Sequence, residues 1–318
     1  MTLFSPSIGK GIALSLVSLT LLGVMPIISN LRPSDVGALS FAFALSVWQV
    51  VFAVPVFGWE LRRGAKGIFG IDLSRRVRRQ MILVALFTGA LFGLSTYLYV
   101  LGVEKAGAAN AAIAIQAYPL FAIFWESLFL KRSKTAIELT LTAILIGALY
   151  YLGTGGTFLI SGLSPWFLVS LGVPLLWSIA HVIIKEELSN TPITPTQVTF
   201  FRVAISTLFL TVVLVIAVPS GIDMGISAIF QTMSALMGLV YFLELIVWFY
   251  AVRHIDVSLA SSITTPWPAV TMVLAVPFLG DAIEPYQAAA LAVVVVCIYG
   301  LTIASLRKNT LKHAAPES

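Results

Sequence analysis

A chain of 318 residues that is 59% hydrophobic and 10% charged, with mean hydropathy +0.99, has too little polar surface for a water-soluble protein. Its net charge of +5 would suggest nucleic acid as a partner if the protein were soluble, but the basic residues are distributed as membrane topology requires, so no nucleic-acid partner is expected. The single cysteine, Cys297, excludes an intramolecular disulfide and any cysteine-built metal site.

The first apolar run covers 8–30. Lys10 ahead of it fits a secretory signal, but the run is longer than a signal core and ends in IISNLRP, without a small-x-small cleavage site. It is read as the first membrane helix. The second run covers 37–59. A basic loop at 60–79 follows, with Arg62, Arg63, Lys66, Arg75, Arg76, Arg78 and Arg79. Further runs lie at 80–101, 106–130, 136–153, 161–184, 198–219, 231–252, 255–280 and 285–306. These ten segments approach the roughly 20 residues that a helix needs to cross the hydrocarbon. Barrel strands alternate over about ten residues, whereas these runs are apolar on nearly all sides. The expected fold is an all-α integral membrane protein of ten transmembrane helices.

Basic residues set the orientation. With a cytoplasmic N-terminus, sixteen of the nineteen Lys and Arg fall on cytoplasmic segments and two, Arg32 and Lys105, on outer loops, leaving Arg202 early in the seventh segment. Ten crossings return the C-terminus to the cytoplasm, with 307–318 as a tail. Trp59 and Trp166 fall at segment ends, as interface aromatics do.

The ten segments divide into halves, 8–153 and 161–306. Five helices per half force the second half to enter the membrane in the opposite sense. YLYVLGVEKAGAANAAIAIQAYP at 97–119 and VWFYAVRHIDVSLASSITTPWP at 247–268 share one order: an aromatic-rich helix, a polar turn, a small-residue run, then an aromatic–proline pair. An inverted repeat of this kind supplies two nearly equivalent packings that open to opposite sides, which is a transporter architecture.

The run AGAANAAI…YP at 106–119, the run VSLASSITTPWP at 257–268 and FLGDAIEPYQAAALAVVVVCIYG at 278–300 resemble the drug/metabolite transporter superfamily, specifically its ten-helix group with two EamA-type repeats. The resemblance covers about 8–306. Asp281 stands where glutamate is more usual, and the first half offers Arg132 near the matching position. Lys185 and Arg202 follow the family habit of a lysine closing the first helix of a half and an arginine early in its second; the first half has Asn30 and Val47 there. The resemblance implies a secondary transporter in a bacterial inner membrane, exporting amino acids or related small metabolites. It also leaves open uptake or exchange of a cationic compound, a sugar or a nucleotide-type metabolite.

Polar groups at membrane depth are costly and mark candidate sites. Glu244, in GLVYFLELIVWFY, has no basic neighbour in sequence. It is read either as a group binding a substrate cation or a coupling proton, or as a neutral acid bonded to another helix. Glu126 is expected to play a structural part near the interface, reaching Lys131 or Arg132 through tertiary folding. Glu138 is expected to face the headgroups. Arg202 is read as shallow enough either to snorkel or, the preferred reading, to pair with Glu186 or Glu187 and, with Lys185 and Glu126, to brace the cytoplasmic gate. Pro119 and Pro268 each remove a helical hydrogen bond and predict kinks that free carbonyls toward a cavity. Asn110 and Gln116 accompany the first kink; Ser261, Ser262, Thr264 and Thr265 accompany the second; Gln49 adds an amide. Trp48, Tyr118, Trp177, Trp248 and Trp267 lie well inside their segments, where rings can line a pocket or hold a cation. Ala85, Gly89 and Gly93, four apart, suit close helix contact.

No nucleophile–base pair, His/Cys set or ATP-binding glycine loop is visible, so neither an enzyme nor a cofactor is expected, and no histidine is expected at mid-membrane depth. A channel would call for a pore segment or filter, and none is legible. A structural membrane protein is the remaining class. The expected partners are the bilayer, a small-molecule substrate and a coupling proton; monomer and homodimer are not distinguished.

Overall fold

A computed structural model describes residues 7–64, 66–70, 74–129, 135–217, 227–255 and 257–314, with the side chains of all of these except 122–123, 126–129, 182, 185–190, 257–258 and 305–314. The described residues form α1 (Ile8–Asn30), α2 (Ala38–Arg62), α3 (Arg75–Ala106), α4 (Ala108–Ile115), α5 (Tyr118–Phe129) and α6 (Ala136–Gly153). They continue as α7 (Pro165–Asn190), α8 (Pro195–Ala217), α9 (Ala228–His254), α10 (Val257–Thr264), α11 (Trp267–Leu279) and α12 (Pro285–Ala314). Among them, eight helical stretches are long and apolar enough to cross a membrane, and Pro165–His181 is a shorter apolar helix. The chain is an all-α, multi-pass membrane protein.

Several boundaries differ from expectation. Arg75, Arg76, Arg78 and Arg79 are not loop residues but the first turn of α3, where Ser74 accepts the Val77 N–H at 3.4 Å as the N-cap. The helix α12 runs on to Ala314, so most of the expected tail is helical. Glu138 does not face the headgroups; it is 5% exposed. Its carboxylate accepts the Thr135 N–H at 2.7 Å while the Thr135 hydroxyl accepts the Glu138 N–H at 3.2 Å, a reciprocal capping box.

The two proline segments are broken rather than kinked. A proline has no N–H for the carbonyl four residues back, and its ring crowds that carbonyl. The helix α4 ends at Ile115, four residues before Pro119, and α10 ends at Thr264, four before Pro268. Two residues bridge each break, Gln116–Ala117 and Thr265–Pro266. Each proline then becomes the second residue of the next helix, where its missing N–H has no helical partner to lose. Tightened bonds close the first break, with Gln116 N–H to Ile113 O and Ala117 N–H to Ala114 O, both 3.0 Å.

Packing pairs the elements in a consistent way. The helix α1 lies on α9 and on α10–α11; α7 lies on α3 and on α4–α5. The helix α2 lies on α9 as α8 lies on α3, while α2 meets α8 and α6 meets α12. Small residues permit the close approaches. A Cβ on Gly89 would run into Ile205, and one on Gly93 into Phe209, so the α3 glycines seat α8. Ser206 Oγ adds a bond to Gly89 O at 2.8 Å. At the centre is α4. Ala108, Ala111, Ala112 and Ile115 belong to one buried cluster and Ala109, Ile113 and Ala114 to the other, so α4 is packed between the two clusters.

Trp59 and Trp166 are exposed at helix ends, each beside a cation: the Arg63 guanidinium lies 3.9 Å from the Trp59 ring and the Lys105 ammonium 5.9 Å from the Trp166 ring.

Candidate functional site

Both breaks open on one cavity of about 100 Å³. From the first break come Ile115, Gln116, Tyr118 and Pro119; from the second, Ser261, Thr264, Thr265 and Trp267. The helix α7 contributes Trp177 and His181, α8 contributes Arg202, and α9 contributes Tyr241, Glu244, Leu245 and Trp248. Leu22 of α1 and Ile298 of α12 complete the wall. Metabolite-binding pockets usually exceed about 300 Å³, so a substrate of that size requires some side chains to move.

The polar groups of the cavity are few. Ser18 Oγ of α1 donates to Glu244 Oε1 at 3.0 Å. Arg202 Nη2 donates to Tyr241 Oη at 3.1 Å, and its guanidinium lies 3.6 Å from the Phe92 ring centroid. Arg202 Nη1 is buried and has no hydrogen-bond partner among the described residues. Arg202 and Glu244 are each 6% exposed, and among the described residues no ion pair joins them. Burial raises the strength of such charges, because little water is present to screen them. Trp177 Nε1 donates to Ser95 Oγ at 3.0 Å, which fixes its indole. Thr264 and Thr265 both donate back to Ser261 O, at 3.1 and 2.8 Å, so their hydroxyl protons are spent on the unwound turn.

Glu244, Gln116, Tyr118, Pro119, Trp177, Trp248, Thr264, Thr265 and Trp267 therefore come together as cavity residues. Four others lie elsewhere. Trp48 stacks on Phe52 at 5.9 Å, with its Cβ against Gly238, and Gln49 is buried beside the same glycine. Asn110 lines a second cavity of about 210 Å³, where it accepts from Gln287 Nε2 at 2.9 Å and donates to Ala106 O. Pro268 is buried at the start of α11 but does not reach the cavity wall. The side chains of Glu126, Lys185, Glu186 and Glu187 lie outside the described residues, as do Lys131 and Arg132.

Two expectations are corrected here. Arg202 does not reach water as a snorkelling residue would; it is a buried wall residue, held between Phe92 and Tyr241, while its expected partners Glu186 and Glu187 have side chains outside the described residues. A histidine does stand in the cavity wall: the His181 ring lies 5.5–6.5 Å from the rings of Phe92, Tyr118, Trp177 and Trp248. Sequence spacing held a signal for these residues. His181 follows Trp177 by four, and Tyr241, Glu244 and Trp248 run at three and four, which sets each group on one helix face.

Beyond the cavity, each end of the bundle is tied by polar contacts. At one end Arg32 of the α1–α2 loop pairs with Glu104 of α3, which also meets Lys105 at 2.7 Å. At the other, Thr194 donates to Glu60 at 2.5 Å and Gln197 Nε2 donates to Lys66 O at 2.9 Å. Among the described residues no group of three His, Cys, Asp or Glu is placed to hold a metal ion.

The family model of the EamA-like transporter family matches the chain over residues 9–154 and again over 164–303. A solved crystal structure superposes on 93% of this chain and 98% of its own, with TM-score 0.63 and 16% identity, a likeness that shows a shared fold. No curated protein matches the chain.

Proposed function

The chain belongs to the EamA-like transporter family and is a non-enzymatic membrane transporter, and from that premise we propose that it exports amino acids or related small organic metabolites by alternating access through the cavity between the two helix breaks. The observation that carries this reading is the cavity's composition. Its wall draws on both family-matched halves, and each half offers an unwound turn there. Transporters place such broken helices at their binding sites.

The proposal includes ten crossings in two inverted five-helix repeats, 8–153 and 161–306, with both termini and the 307–318 tail cytoplasmic, in a bacterial inner membrane. The eight apolar stretches, the shorter Pro165–His181 helix and the α4–α5 pair support that number. The exchange of α1–α9 contacts for α7–α3 contacts, and of α2–α9 for α8–α3, supports the repeat.

Glu244 is proposed to read a cationic group or exchange a coupling proton, with Gln116, Tyr118, Trp177, Trp248, Thr264, Thr265 and Trp267 forming the binding wall. Trp48, Gln49 and Pro268 are assigned to helix packing around it, and Asn110 to the contact with Gln287. A purely cationic substrate is the second reading, favoured by the three indoles near Glu244.

Proteoliposomes containing purified protein test the function. Saturable, substrate-dependent flux of a labelled small metabolite is expected. No flux across a broad metabolite panel, with folded protein, would sink the reading.

A further inference from the structure

We propose that the cavity binds a dipolar ion, with Arg202 Nη1 taking its carboxylate and Glu244 its ammonium. This deepens the transport reading and rests on it.

The starting observation is an unsatisfied donor. A guanidinium offers five N–H groups in a fixed fork. In Arg202, Nη2 is used by Tyr241 and one face is covered by Phe92, while Nη1 is buried with no acceptor among the described residues. Held this way at 6% exposure, the side chain cannot snorkel to water. A buried charged donor without a partner is costly, and native structures rarely keep one unless something supplies the acceptor. A carboxylate fits a guanidinium fork in plane and by charge.

Glu244 is the second half of the argument. It faces the same cavity, accepts one bond from Ser18 and makes no ion pair with Arg202. Two opposite charges that could have neutralised each other are held apart. Tyr241, one turn before Glu244 on α9, is the residue that Arg202 Nη2 bonds instead. A ligand with one charge satisfies one of the pair; a ligand with both satisfies both. The π faces of Trp177, Trp248 and Trp267 then receive an apolar or aromatic body.

Equilibrium binding to the purified full-length chain tests this with two ligand triads. One is phenylalanine, phenethylamine and phenylpropanoate; the other is leucine, isopentylamine and isocaproate. Each triad presents both charges, the cation alone and the anion alone on one body. The zwitterion of at least one triad is expected to bind about tenfold or more tighter than either singly charged analogue, the effect of one charge-assisted hydrogen bond. Arg202→Gln is expected to weaken the zwitterion and the anion while sparing the amine. Glu244→Gln is expected to weaken the zwitterion and the amine while sparing the anion.

Equal affinities within both triads, or no binding of either zwitterion, overturns the proposal. So does a uniform loss in both variants. If the variants fail to fold, the wild-type triads decide alone. The predicted binding pattern without flux in proteoliposomes would overturn the transport reading and leave the subsite. Saturable flux of a singly charged solute with no zwitterion preference would do the reverse.

Discussion

Glu244 concentrates the functional question in one side chain. The carboxyl group is buried among helices, and Ser18 supplies its hydrogen bond. Glu244→Gln keeps an acceptor for the Ser18 hydroxyl but removes the ionisable group. Folding and membrane insertion should therefore survive, and flux should fall about tenfold or more, since charge-assisted bonds are worth about 1.5–3 kcal/mol. Flux assays across pH check this: unchanged rate and unchanged pH response would remove Glu244 from the mechanism. Ser18→Ala leaves the charge and takes away the bond, so it should produce the milder loss. The importance of Glu244 was legible, because an acid amid GLVYFLELIVWFY needs a reason. The depth of Arg202 was not, since its position early in a segment is equally compatible with a shallow residue. The seating of α8 on Gly89 and Gly93 of α3 carries it beside Phe92, and the packing of α8 on α9 carries it beside Tyr241. His181 was hidden for a related reason. In lipid both faces of a helix are apolar, so hydrophobic period does not say which face looks inward.

At the scale of the element, the two breaks rest on similar but unequal chemistry. Pro119 alone denies α4 its continuation, because Ile115 O would otherwise receive the N–H of residue 119. In Pro119→Ala that bond becomes available, and α4 should rewind into α5, drawing Gln116 and Tyr118 from the cavity wall. Thermal stability should hold or rise while flux falls, and amide exchange over 113–120 should slow. The second break carries two prolines, Pro266 and Pro268, so Pro268→Ala should leave it open, with exchange over 262–268 unchanged. Equal responses in the two variants would show that packing, not proline, sets the breaks. A further test lies at Gly107, the single residue joining α3 to α4, at φ 84° and ψ 156°. That region is essentially reserved for glycine. A Cβ there meets nothing within 4 Å, so Gly107→Ala should cost about 1–3 kcal/mol through backbone strain alone, read as a lowered unfolding midpoint. The prolines and small-residue runs made these elements legible in sequence. The change from kink to break was not, because it depends on whether neighbours fill the gap, and here Gln116 and Thr265 line a cavity instead.

For the whole molecule, the proposed alternating access requires two openings, and the contacts at the two ends would set the balance between them. Arg32–Glu104 and Asn110–Gln287 tie the end where α1 finishes. Glu60–Thr194 and the Gln197 bond to Lys66 O tie the end where α2 finishes. In the proposed orientation the first set faces outward and the second the cytoplasm. Each contact stabilises closure of its own end only, so removing one shifts the population toward that opening, about tenfold for every 1.4 kcal/mol lost. Ser261, in the cavity wall, offers a reporter position: Ser261→Cys, placed in a Cys297→Ala background that removes the one native thiol. Adding Glu104→Gln should raise its labelling by a membrane-impermeant thiol reagent from the outer face. Adding Gln197→Ala should raise labelling from the cytoplasmic face. Both changes should speed labelling on their own side and slow it on the other, because the two openings draw on one population. Increased labelling from both faces in either variant would mean a leak through a loosened bundle, and would refute two exclusive states joined by a common cavity.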